Sequence, residues 1–148
     1  MDLISSAKQI SSAIADFILA SARISLYNAL EVTTVAENKL ADLSTDFAVE
    51  ILKLTDGMKG HYSLVNQLER SATSIGANIR EAKYAHSKPD FVSKLQIALK
   101  ECYETDYWLT LFRDTYILDK DDYEKHFASC SKIRKLLIAS IKTAKMSN

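Results

Sequence analysis

Apolar residues recur along this chain in alternating steps of four and three, the spacing that keeps one face of an α-helix apolar. The clearest case lies between residues 64 and 111, where two such stretches are joined by one short turn. In the first, Leu64, Leu68, Ala72, Ile75, Ile79 and Ala82 share a face, with Ser71, Ser74, Gly76 and Ala77 between them. A glycine inside a helix costs about 1 kcal/mol relative to alanine, and a close approach by a neighbouring helix offsets that cost. The second stretch opens at Ser87-Lys88-Pro89-Asp90. There Ser87 can cap, Pro89 loses no amide hydrogen in the first turn, and Asp90 suits the positive helix start. Phe91, Leu95, Ala98, Cys102, Thr105, Leu109 and Phe112 then form a seam, which Val92, Leu99, Tyr103 and Trp108 widen. A stripe that wide predicts more than one partner helix.

The same spacing appears three more times. Leu3, Ala7, Ile10, Ile14, Phe17, Ser21 and Ile24 predict an amphipathic helix over residues 1 to 30. Residues 31 to 43 lose the stripe and gain β-branched residues, which predicts a linker or a helix break. Phe47, Ile51, Leu54 and Met58 predict a helix from about 44 to 59, closed by Gly57 and Gly60. After the helices of residues 64 to 86 and 88 to about 115, Asp119 can cap a last helix striped by Tyr123, Phe127, Cys130, Ile133, Leu137, Ile141 and Ala144. The expected fold is all-α, an antiparallel up-down four-helix bundle over residues 39–148 with an extra amino-terminal helix and linker over residues 1–38.

Composition agrees with this reading. Three glycines and one proline in 148 residues leave too little turn material for an all-β fold. Formal net charge is zero, so a global nucleic-acid or membrane-surface signature is missing, while a local patch remains possible. Asp2 precedes the first apolar stretch, Asp16 interrupts it and Arg23 follows it, so neither a secretory signal nor a membrane span is expected. Two cysteines without a signal peptide fit a reducing cytoplasm.

The run QLERSATSIGANIREAKYAHSKPDFVSKLQIALKECYETDYWL, with FAVEILKL before it and LLIASIKTAK after it, resembles the four helix bundle protein family, also described as the 23S rRNA intervening-sequence protein family. The resemblance covers roughly residues 40 to 146 and leaves the first 38 outside. It implies a small bacterial bundle that assembles as a homopentameric ring. One branch, the accessory variability determinant of diversity-generating retroelements, binds RNA and a partner reverse transcriptase. That branch is strongly basic, whereas this chain is neutral.

Candidate chemistry is sparse. A di-iron bundle site needs a Glu and a His three apart on each of two helices, and neither Glu81 with His86 nor Glu124 with His126 has that spacing. Cys102, Cys130 and His126 could be read as metal ligands or as a thiol–imidazole dyad, but apolar positions favour buried core cysteines. Asn78, Glu81, Glu101 and Glu104 could line a groove, and inter-helix hydrogen bonding is the simpler account. Tyr107 and Trp108 similarly suit core or subunit contact before base stacking. No nucleophile elbow or Gly-rich phosphate loop occurs, so no catalytic residue, metal or cofactor is expected.

One pattern stands out. From Lys125 to Lys145 the last helix carries Lys125, Lys132, Arg134, Lys135, Lys142 and Lys145 with no acid, while residues 101 to 124 are strongly acidic. Antiparallel packing sets the end of that helix beside Arg80, Lys83, Lys88 and Lys94, so the bundle should be basic at one end. Helix-end chemistry explains the acids before the last helix, but not the cations near the start of the Lys88 helix. The expected function is non-enzymatic, through homo-oligomeric assembly and interaction. The alternative is an RNA-binding accessory protein, using Arg80, Lys83, Lys88, Lys94, Lys135, Lys142 and Lys145 to hold RNA or an RNA-associated protein.

Overall fold

The computed structural model describes the backbone of residues 3–146, with side chains at residues 12, 14–28 and 38–146. Four helices follow in order: α1 (Leu3–Asp56), α2 (Tyr62–Ala82), α3 (Lys88–Asp114) and α4 (Lys120–Met146). The fold is therefore all-α, a helical bundle with additional helix at its amino-terminal side. The chain divides into two compact units, Met1–Asn38 and Lys39–Asn148, and the bundle lies in the second.

Residues 31 to 43 correct the sequence reading: they are helical throughout, and no linker or break occurs there. The physical reason is that β-branched residues lower helix propensity by only a few tenths of a kcal/mol each, and the segment holds no glycine or proline to end the helix. Leu40 and Ala41 consequently join the core, at 3% and 5% exposure. The first real stop comes at Gly57. Beyond it, Gly60 and His61 both take left-handed backbone (φ 82° and 51°), reversing the chain into α2. The α2 helix ends at Ala82, short of residue 86, because the last amides tighten to i−3 carbonyls: Lys83 N to Arg80 O, Tyr84 N to Glu81 O and Ala85 N to Ala82 O.

The α3 start is built as its residues predict. Ser87 Oγ accepts from Asp90 N at 3.3 Å, and Asp90 Oδ2 accepts from His86 N at 3.1 Å, so two orphan amides are satisfied reciprocally. Asp119 Oδ1 accepts from Asp122 N at 2.8 Å and opens α4.

Cross-helix contacts give the bundle its order. Thr55 Oγ1 donates to Glu69 Oε1 at 2.6 Å and Arg80 Nη2 donates to Thr45 Oγ1 at 2.8 Å, pairing α1 with α2 antiparallel. Glu81 with Lys94 and Arg70 with Glu101 do the same for α2 and α3. The Arg113 guanidinium lies 4.3 Å from the Tyr123 ring centre across α3 and α4, and Lys125 reaches Glu50 across α4 and α1 at 3.7 Å. Each helix thus neighbours the next, and α1 sits diagonal to α3. The core comprises the predicted stripes, among them Phe47, Ile51, Leu68, Ile75, Leu109, Phe112, Ile133 and Leu137, each at 2% exposure or less. Full burial of such a side chain contributes about 1.5–3 kcal/mol.

Gly76 carries the close approach anticipated above. A Cβ placed on it would stand 3.3 Å from Ser44 Oγ and 3.6 Å from Ser44 O. Gly76→Leu is therefore expected to lower stability by about 1–3 kcal/mol through overpacking. Gly76→Ala, whose propensity gain of about 1 kcal/mol opposes a small local shift, should stay close to the parent. Urea unfolding of both variants checks this, and an unperturbed Leu variant would show that α1 and α2 do not meet so tightly.

Candidate functional site

The predicted basic residues divide into three groups. Arg80, Lys83, Lys88, Lys142 and Lys145 are all exposed. The antiparallel order brings the end of α2, the start of α3 and the end of α4 to one end of the bundle. Lys94 is different, because its Nζ donates to Glu81 Oε2 at 2.5 Å. That hydrogen bond and charge raise the lysine above its ordinary value and cancel its contribution to any patch. Lys135 lies about 15 Å along α4 from Lys145, at 1.5 Å per residue.

There Lys135 meets two cations outside the predicted set. Lys39, Lys132 and Lys135 line an open recess of about 500 Å³ whose remaining walls are Phe127, Ala128, Ser131 and Leu136. Among the described residues none of these lysines has an acidic partner within ion-pair distance. Lys132 and Lys135 were visible in the sequence as a cationic pair three apart on one helix. Lys39 was hidden by the expectation of a linker at that position.

Two charges leave the surface account altogether. Asp106, in the acidic run, is buried at 8% exposure and pairs through Oδ2 with Arg134 Nη1. The Arg134 guanidinium also lies 5.2 Å from the Tyr103 ring centre and 5.9 Å from that of Phe127, so it is spent inside the bundle. On the other side of α3, Arg70 Nη2 pairs with Glu104 Oε1, which also accepts from Trp108 Nε1 at 3.4 Å. Arg70 Nη1 stands 3.6 Å from Glu101 Oε2. Glu101 and Glu104 are thus tied into an inter-helix network. Asn78 Nδ2 donates within its own helix to Ser74 O.

The thiols are core groups. Cys102 and Cys130 are both fully buried, and Cys130 Sγ donates to Cys102 O at 3.5 Å. Hydrogen bonding to Cys102, together with burial, pushes the Cys130 thiol far up, the reverse of an activated nucleophile. His126 is buried too, with Nδ1 2.7 Å from Asp122 O. Among the described residues no three His, Cys, Asp or Glu side chains converge as a metal site, and no helix is long and apolar enough to cross a membrane.

The family model for the 23S rRNA-intervening sequence protein matches residues 36–139, most of the chain and nearly all of the bundle unit. The chain belongs to that family. A crystal structure of a protein of unknown function from the S23 ribosomal protein family of Bacteroides thetaiotaomicron is 44% identical, with a TM-score of 0.69. The similarity covers 72% of this chain and 98% of that one. Among curated proteins none matches.

Burial raises the Glu101 carboxyl above its ordinary value, against the opposing pull of Arg70. A raised folded-state value means that the folded chain holds the proton more tightly, so this group's contribution to stability is lost as pH rises through its titration. Glu101→Gln should therefore melt higher than the parent at about pH 7, with the difference closing by about pH 3. Thermal melts at both pH values check the sign.

Proposed function

We propose that the protein works without catalysing a reaction, by assembling with copies of itself in the cytoplasm and presenting the assembled bundles to a partner. The observation that carries this reading is the exposure of Ile97, Tyr103 and Tyr107 (40%, 54% and 58%) on the side of α3 away from the core stripe. Val49 and Leu52, three apart, are exposed on the diagonal helix α1. Two different patches on opposite sides of one bundle suit a head-to-tail contact, which closes into a ring when the rotation permits. The resemblance to ring-forming bundles makes five the copy number to expect. Light scattering at micromolar protein should give a multiple of the 16.6 kDa chain. The double variant Ile97→Glu with Tyr107→Glu should lose this contact and show a lower native mass than the parent, with unchanged helicity. A monomeric parent protein would overturn the reading.

A second reading, RNA binding, is favoured by the recess of Lys39, Lys132 and Lys135 beside the Phe127 ring. Three ammonium groups suit backbone phosphate, an aromatic wall suits a stacked base, and repetition around a ring turns a weak site into avidity. Arg80, Lys88, Lys142 and Lys145 extend the cationic surface toward the bundle end, whereas Lys94 does not. Binding should weaken with salt with a slope of about −0.7 per phosphate neutralised on single strands. Lys132→Glu with Lys135→Glu should abolish it while leaving native mass unchanged. Titration of a structured RNA at two salt concentrations measures this, and absence of binding at low salt would remove RNA from the account.

A further inference from the structure

The amino-terminal unit carries an apolar seam whose described side chains are exposed. Every described side chain from residue 14 to 28 is exposed, and these include Ile14, Phe17, Ile18, Leu19, Ile24, Leu26 and Tyr27, with Phe17 at 75%. Exposed apolar surface on that scale marks an interaction site.

The pattern of the segment identifies its occupant. Ile14, Phe17, Ser21, Ile24 and Asn28 fall in steps of three and four, the a and d positions of a heptad, and Leu3, Ala7 and Ile10 carry the same spacing through the preceding residues of the sequence. The flanking e and g positions are Ile18, Ala20, Ser25 and Tyr27, all uncharged. Identical helices therefore meet without like-charge repulsion. The charges of the stretch lie on its outer side: Asp16 and Arg23, seven apart, share position c, and Lys8 falls at position b. Leu19 and Leu26 fall on that outer side too, where isolated surface leucines are ordinary.

We infer that residues 14–28 form a parallel, in-register coiled coil with the same segment of other copies of this chain. Parallel register is set by the polar layers: Ser21 meets Ser21 and Asn28 meets Asn28, whereas an antiparallel pairing buries Asn28 against apolar residues. The seam lies outside the family match, which begins at residue 36. It is also independent of the α3 face, so either contact can fail without the other.

Single-cysteine variants of the full chain test it, because Cys102 and Cys130 are fully buried and do not compete. Under mild oxidation Ile24→Cys, at a d position, should form covalent dimers at least ~10-fold faster than Arg23→Cys at the outward c position, reflecting a local thiol concentration near the millimolar range. The fast cross-link should persist when Ile97→Glu and Tyr107→Glu are added. Equal rates at the two positions, or no cross-link at either, would overturn the inference. So would loss of the cross-link in the α3 double variant, since the bundle rather than the seam would then be holding the copies together. Co-sedimentation with phosphatidylcholine vesicles in place of cross-linking would assign the face to lipid and likewise overturn it.

Discussion

The close approach of α1 and α2 at Gly76 is the constraint on which the bundle depends. With no side chain at that position, the Ser44 backbone carbonyl comes within 3.6 Å of where a Cβ would stand. Ser71, Ala72 and Ile75 bury completely around it. The small face of α2 lets two neighbours close in together, because Ser71 is hydrogen-bonded to Thr105 of α3 at 2.9 Å. Ser71 also donates to Leu68 O within its own helix, so both buried hydroxyls are satisfied. A larger residue at the centre of α2 would separate the helices, and the Phe47, Ile51, Leu109 and Ile133 layers would lose their contacts together.

Polar groups inside this core act as fasteners between helices. Thr55 with Glu69, Ser71 with Thr105, Asp106 with Arg134 and Cys130 with the Cys102 carbonyl each join a pair of helices at one register. A buried ion pair such as Asp106 with Arg134 contributes little net stability, since desolvation consumes much of the attraction. Removing one partner strands the other and costs about 3–5 kcal/mol. Such pairs therefore penalise a slipped bundle more than they stabilise the correct one. Cys130, His126 and Glu104 are likewise engaged by neighbouring groups.

What remains for function lies on the outside: an aromatic and aliphatic face on α3, a smaller apolar pair on α1, a three-lysine recess beside Phe127, and the seam of the amino-terminal unit. The first, second and fourth are apolar and point to other protein surfaces, whereas the recess is cationic and points to an anion. The proposed assembly and ligand-binding surfaces are therefore separate. An assembled form would present several copies of the recess without rearranging the bundle.

Much of the fold was legible in the sequence because helix periodicity is local. The stripes Leu68–Ala72–Ile75–Ile79, Leu95–Ala98–Cys102–Thr105–Leu109–Phe112 and Cys130–Ile133–Leu137–Ile141 name the buried residues directly, and Ser87 and Asp119 mark where two helices begin. The break expected at 31–43 did not materialise, since weak propensity without glycine or proline is not a stop signal, and Leu40 and Lys39 were misplaced with it. The charges were the least legible part. Asp106 and Arg134 read as members of an acidic and a basic surface and proved to be each other's partner inside the bundle, while Lys94 is cancelled by Glu81. Lys135 shares a recess with Lys39 and Lys132, which the sequence did not bring together. Spacing along one helix determines which face is buried, but the fate of a charge depends on which side chain arrives from a different helix, and only tertiary packing decides that.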